Sequence, residues 1–208
     1  MGKELENMLN GKLYRAGIDP IACERSDRAK VLTRQFNEST EFDREFQTQL
    51  LQKLFKSYGE HAYIRPPFHT DYGAHTTIGA NFYANYDCIF LDIAPITIGD
   101  NVLLGPRVGL YTAGHPLDAA IRSEGLEYGY PITIGNDVWI GGNTVVNPGV
   151  AIGNNVVIGS GSVVTKNIPD NVIAVGNPCH VLRPITEDDR AYWQAQKDLY
   201  EAENESQD

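Results

Sequence analysis

Among the 208 residues of this sequence, the one best placed to do chemistry is His115, in Thr112-Ala113-Gly114-His115-Pro116. An imidazole that titrates near neutrality can take a proton from a hydroxyl and return it to a leaving group. Pro116 restricts the chain beside it and helps fix the direction of the ring. A loop histidine taken alone is more often structural or solvated than catalytic, so its setting decides its role. The other nucleophilic side chains offer less. Cys23, Cys88 and Cys179 form an odd set without CxxC or Cys/His spacing, which reads as packing residues rather than a disulfide framework or a zinc knuckle.

The setting of His115 is a break in a six-residue period. Ile78, Ala84 and Phe90 begin three successive hexads; after a two-residue offset Ile98, Leu104 and Leu110 begin three more, and Ile134, Ile140, Val146, Ile152, Ile158 and Val164 begin another six. Four places after many of these starts stands a valine: Val102, Val108, Val138, Val150 and Val156. An aliphatic first position can fill the interior of a coil, the glycine that often follows it relaxes the backbone, and the abundant Asn and Asp tolerate tight turns. Three hexads make one triangular coil, and coils stacked at about 4.8 Å build a continuous core that no hexad could bury alone. The expected class is therefore mainly β, a parallel β-helix of hexapeptide repeats. An antiparallel sandwich with glycine turns would show a period of two, which is missing. Spacing does not reveal handedness.

Around this solenoid the period changes. Residues 1–60 read as an N-terminal helical cap. After Pro20, the apolar Ile21, Ala29, Leu32 and Phe36 fit one helix face, and Thr40-Glu41-Phe42-Asp43 fits a capping pattern for a second helix with Phe42, Phe46, Leu50 and Leu54 every four residues, ending at Tyr58-Gly59. Ile64-Arg65-Pro66-Pro67 cannot continue a helix. The β-helix is expected over 61–184, with an inserted loop at 112–131 that can project from the rigid coil. Asn177-Pro178 marks the exit, and 185–208 reads as a short C-terminal helix and acidic tail with Trp193 and Leu199 as docking residues.

A formal charge of −10 disfavours nucleic acid and anionic membranes as partners, while leaving room for a local basic patch. The sequence contains no run of about 18 apolar residues and MGKELENMLNGK lacks an apolar signal core, so a cytoplasmic location is expected.

The segments NFYANYDCIFLD, ITIGDNVLLGP, YTAGHP and PITIGNDVWIGGNTVVNPGVAIGNNVVIGSGSVVTKNIPDNVIAVGNP together resemble the maltose/galactoside O-acetyltransferase family of hexapeptide transferases. GKLYRA and FHTDYG lie nearer the maltose acetyltransferases. The resemblance covers nearly the whole chain up to about Pro184. It implies a left-handed helix, a homotrimer with active sites between subunits, acetyl-CoA as donor, a sugar hydroxyl as acceptor and no metal. It makes His115 the catalytic base, with direct attack on the thioester and no acetyl-enzyme. It gives Gly142 a backbone amide near the acetyl group, and places Asn85 at the reacting centre, where its side chain orients acceptor or thioester unless it is simply a turn residue. Asp71 and Asp92 match sugar-facing positions, their alternative being turn roles. Glu127, in the same insertion as His115, either binds sugar, orients the imidazole or is solvated. For CoA the resemblance points to Asn85, Trp139, Gly142, Ser160, Thr165, Lys166 and Arg183. His180 stands where the family commonly has arginine, which puts one phosphate contact in doubt.

Two other classes use this architecture. A gamma-type carbonic anhydrase needs three convergent histidines for zinc, and His61, His69, His75, His115 and His180 do not reproduce that pattern. A noncatalytic binding solenoid is the other. The combination of His115 with the CoA-facing residues speaks against it.

Overall fold

The computed structural model describes residues 2–40 and 42–205, so Glu41 of the capping pattern and the last residues of the acidic tail lie outside it. Three parallel sheets wrap one prism. The first face stacks strands Ser57–Tyr58, Thr76–Ile78, Ile96–Ile98, Ile132–Ile134 and Ala151–Ile152. The second stacks Tyr63–Ile64, Tyr83–Ala84, Leu103–Leu104, Trp139–Ile140, Val157–Ile158 and Val172–Val175. The third stacks Phe68–Thr70, Cys88–Leu91, Gly109–Tyr111, Val145–Val146 and Val163–Val164.

Register turns the hexad starts into interior rows. Ile78, Ile98, Ile134 and Ile152 are Cα partners on the first face; Ala84, Leu104, Ile140 and Ile158 on the second; Phe90, Leu110, Val146 and Val164 on the third. All twelve are buried. Strand residues alternate sides, so the neighbours of these rows face outward, and they differ by face. Thr77, Thr97 and Thr133 line the first face, whereas Tyr83, Leu103, Trp139 and Val157 line the second and Ile89, Val145 and Val163 the third. Threonine suits water. The aliphatic and aromatic rows do not.

The glycines after the interior residues have a different reason from the one expected. Gly99 does not have positive φ; a Cβ built on it would lie 2.3 Å from Asn136 Oδ1 and 2.7 Å from the Gly135 carbonyl oxygen of the next coil. Close approach of stacked backbones selects glycine there. Left-handed positions fall two residues later, mostly at Asn or Asp (Asn81, Asn101, Asp137, Asn143 and Asn155), residues that tolerate that region best, with His61 and Arg107 as exceptions. Their side chains also pair from coil to coil: Asn81 donates to Asn101 at 2.9 Å and Asn101 to Asp137 at 2.8 Å.

Helix α1 (Lys3–Leu9) precedes α2 (Pro20–Glu38) and α3 (Arg44–Leu54). In α2, Pro20 occupies the first turn and Asp19 caps it, accepting from the Ile21 and Ala22 amides. Its buried residues are Ala22, Ala29, Thr33 and Phe36, and Ile21 is exposed. Helix α3 starts after Asp43 rather than at Thr40, whose hydroxyl instead donates to the Asp43 carboxylate. Phe42 and Phe46 are exposed, while Gln47, Leu50, Leu51 and Leu54 are buried. Each four-residue step advances about 40° around a helix, so a stripe at every fourth residue turns away from the core. Helix α3 ends at Leu54, and Ser57–Tyr58 already pairs with Thr77–Ile78, so the coil begins within the segment read as the cap. Tyr58, Ile64 and Phe68 of this first coil pack with Phe36, Leu50, Leu51 and Leu54, and α2 and α3 thereby cover the end of the solenoid. Asn37 fastens them, exchanging two 2.8 Å hydrogen bonds with the Phe68 backbone.

After Asn177-Pro178 the chain turns back, and His180–Pro184 pairs antiparallel with Val172–Val175. Helix α4 (Ala119–Ser123) lies in the insertion, and the C-terminal helix α5 (Glu187–Glu205) has 19 residues, longer than expected. Trp193 and Leu199 of α5 are exposed, and Trp193 lines a cavity with Asn155, Asn171 and Ile185.

Candidate active site

The insertion folds into a small sheet of its own. Ala113–Gly114 pairs antiparallel with Leu126–Gly129, which pairs on its other side with Tyr14–Arg15 from the N-terminal segment. Gly114 is the partner of Tyr128, so His115 follows the last paired residue of this hairpin and Glu127 adjoins Tyr128 on the facing strand. His115 is exposed and has no hydrogen-bond partner among the described residues, which leaves both ring nitrogens available. Glu127 accepts from the Tyr14 hydroxyl at 2.8 Å.

Beneath this hairpin lies a carboxylate cluster. Asp92 has no exposed surface. One of its oxygens accepts from the Thr70 hydroxyl and the Tyr72 amide, both at 2.8 Å; the other accepts from the Thr76 hydroxyl at 3.0 Å and the His75 amide at 3.4 Å. Both oxygens thus accept from the chain, and Asp92 holds the 70–76 turn. That turn presents Asp71, half-buried, whose carboxyl is pushed up to about 6 by burial and then by the charges of Asp92 and Glu127, with Lys30 opposing. Burial and then Asp71 likewise push the neighbouring Tyr72 hydroxyl up to about 12. His75 stacks on Tyr72. Its Nδ1 lies 2.8 Å from the Asp92 carbonyl, which only accepts, and its Nε2 lies 3.3 Å from Arg25, which only donates. The ring is therefore neutral, in agreement with burial lowering its pKa.

The raised Asp71 pKa has a measurable cost. A carboxyl that holds its proton more tightly when folded opposes folding as pH rises from the unfolded value of 3.8 to about 6, and the penalty persists above that. Asp71→Asn is expected to melt about 2–4 °C above the parent at pH 7 for each kcal/mol relieved. By pH 3.5 the two proteins should melt together. A melting difference that does not shrink on acidification contradicts this environment for Asp71.

The residues expected at the site fall into separate places. His115, Glu127, Asp71, Thr165 and Lys166 lie on the corner between the third and first faces. Asn85, Gly142 and Ser160 lie on the next corner, between the second and third. There the Asn85 side-chain carbonyl accepts from the Tyr86 amide at 2.8 Å, and neither its NH₂ group nor the Gly142 N–H has an acceptor among the described residues. Trp139 stands outward on the second face, 54% exposed. His180 and Arg183 lie on the terminal strand at the end of the same sheet, with Val157–Ile158 and Val172–Val175 between it and Trp139. Arg183 is not free, because its fork holds Asp189 of α5 at 2.6 and 2.8 Å; Lys166 is exposed. Sequence reasoning assigned no role to Tyr14, His75, Arg25 or Thr70. GKLYRA carries Tyr14, but nothing local reveals a partner 113 residues away.

Known proteins share this fold. Residues 7–59 match the maltose acetyltransferase hexapeptide capping motif, 131–166 the bacterial transferase hexapeptide, and 95–114 the hexapeptide repeat of succinyl-transferase. Galactoside O-acetyltransferase of Escherichia coli is 45% identical over 188 residues, 90% of this chain and 92% of that protein. The chain belongs to the maltose and galactoside O-acetyltransferase family. Among solved structures of the family, a maltose O-acetyltransferase from Clostridium difficile is 50% identical with a TM-score of 0.87, covering 89% of this chain and 98% of that one. A galactoside acetyltransferase in complex with coenzyme A is 44% identical with a TM-score of 0.88, covering 91% and 94%. Family members thus share both the solenoid and the capping segment that supplies Tyr14. Among the described residues, no group of three or more His, Cys, Asp or Glu is placed to hold a metal ion, and no helix is long and apolar enough to cross a membrane.

Proposed function

We propose that the protein transfers an acetyl group from acetyl-CoA to a hydroxyl of a sugar such as maltose, glucose or a galactoside, with His115 as general base. The observation that carries this reading is the separation of complementary groups. A proton acceptor with carboxylates suited to binding hydroxyls occupies one corner, and unpaired N–H donors occupy the next. Neither set completes a reaction centre alone.

A second copy of the chain supplies the missing half. The outward rows of the second and third faces are mostly apolar, His69 excepted, while the first runs Ser57, Thr77, Thr97, Thr133 and Ala151, so two faces gain by being covered. Closed association of three copies places the His115 corner of one against the Asn85 corner of its neighbour. At such a junction the neutral imidazole takes the sugar hydroxyl's proton as oxygen attacks the thioester carbonyl. The Asn85 amide and the Gly142 N–H face the developing oxyanion, and the imidazolium returns the proton to the departing thiolate. Asp71 and Glu127 accept hydrogen bonds from sugar hydroxyls. Trp139, Gly142, Ser160 and Thr165 line the path of the pantetheine arm. Lys166 meets phosphate, as does Arg183 through the edge of its guanidinium that Asp189 leaves open, and His180 occupies the position of a further phosphate contact.

The test is an acceptor screen with acetyl-CoA, following thiol release and acetylated sugar in the same tube. Equal amounts of both products are expected with at least one of maltose, glucose and a galactoside. Thiol release without any acetylated sugar across the panel contradicts the reading.

A further inference from the structure

The N-terminal segment does more than close the solenoid. It contributes the third strand of the sheet that carries His115, and it is tied there at several levels. Tyr14, 3% exposed, sits in a small core with Leu5, Met8, Ala22 and Ile93, against which Tyr72 and Ala113 pack. Ala113 is two residues from His115, and Tyr72 adjoins Asp71. On the outer side, Arg15 donates from one guanidinium nitrogen to the Glu124 carbonyl at 2.5 Å and meets the Glu124 carboxylate at 3.3 Å. The Arg15 amide donates to Glu4 of α1 at 2.7 Å. The insertion is therefore gripped from the N-terminal segment on both sides of Glu127.

Resting on the reading of His115 as base, we propose that Tyr14 is a positioning residue for acetyl transfer, its hydroxyl fixing the Glu127 carboxylate on the strand that faces the His115 arm of the hairpin. The geometry requires the phenol to donate, since a carboxylate oxygen only accepts. Burial, and then Glu127 itself, raise the Tyr14 pKa and keep that proton in place. With one Glu127 oxygen held by Tyr14, the carboxylate cannot swing freely, and its second oxygen is presented to the imidazole or to the sugar. Orientation of this kind is worth large factors in rate when a misplacement of about 1 Å matters. The hydroxyl acts only through Glu127; it touches neither substrate.

Tyr14→Phe deletes the hydroxyl and keeps the ring in its core. The expected result is a roughly tenfold loss in kcat for sugar acetylation, of the size a charge-assisted hydrogen bond supports, with the KM for acetyl-CoA within about twofold of the parent and little change in melting temperature. A merely structural role would not depend on Glu127, so the deciding measurement is a double-mutant cycle with Glu127→Gln. If Tyr14 acts through Glu127, adding Tyr14→Phe to Glu127→Gln costs little further activity. The same tenfold loss in both backgrounds, or a Tyr14→Phe enzyme with native kcat, overturns the proposal. Were the parent protein itself to acetylate no sugar, the function reading would fall and this role with it, whereas an active parent with an unimpaired Tyr14→Phe variant removes this role alone.

Discussion

His115→Ala is expected to lose about 10²- to 10⁴-fold in kcat for sugar acetylation, the range for removing a positioned general base, while folding and assembling like the parent. Both halves follow from where the residue stands. Its side chain is exposed, has no hydrogen-bond partner among the described residues and lies outside the interior rows, so truncation leaves no cavity and no orphaned polar group. Its only proposed duty is to take and return one proton. The assay must record acetylated sugar as well as thiol, because thioester hydrolysis releases thiol without transfer. Circular dichroism and light scattering on the same sample separate loss of chemistry from loss of structure. A well-folded variant with near-native sugar acetylation would mean that another group is the base.

The fold was legible because one chemical rule repeats. Every hexad start from Ile78 to Val164 falls in an interior row, since the position must be apolar in each coil. The first coil begins at Ser57–Tyr58, a few residues before the 61–184 expected for the β-helix; Tyr58 and Ile64, six residues apart like the later hexad starts, hold its interior positions. The glycines were identified correctly as constrained positions, but for backbone freedom, whereas Gly99 answers to the coil beside it. A neighbour in the next coil is invisible in a linear reading. Helix α3 shows the limit of a four-residue spacing: Phe42 precedes the helix, and Phe46 lies on a face that turns to water.

The site was legible where it sits in the interruption and obscure where it depends on distant pairing. His115 stands out as a histidine in a break of the period. Asp71 and Asp92 look alike in sequence, yet four donors from Thr70, Tyr72, His75 and Thr76 convert Asp92 into a structural anchor and leave Asp71 presented on the turn it holds. Likewise Arg183 reads as a free cation until α5 brings Asp189 onto it. These distinctions depend on which donors surround a charge, and the donors come from separate turns of the chain.

The central claim is that the reaction centre is shared, with His115 from one chain and Asn85 from its neighbour. Subunit mixing tests it most directly. Asn85→Ala removes an amide proposed to face the oxyanion and should itself lose about 10²- to 10³-fold in kcat, so the two single variants are each nearly inactive. Unfolded together in equal amounts and refolded, they form mixed trimers in which some junctions pair an intact His115 corner with an intact Asn85 corner. If chains mix at random, roughly a quarter of the junctions are intact and activity returns to roughly a quarter of the parent's. That recovery, with trimers seen by light scattering and absent when the separately refolded variants are merely combined, is the predicted result. If each chain carried a complete site of its own, every site in the mixture would still lack one residue, and activity confined to the sum of the two residual rates would contradict the shared centre.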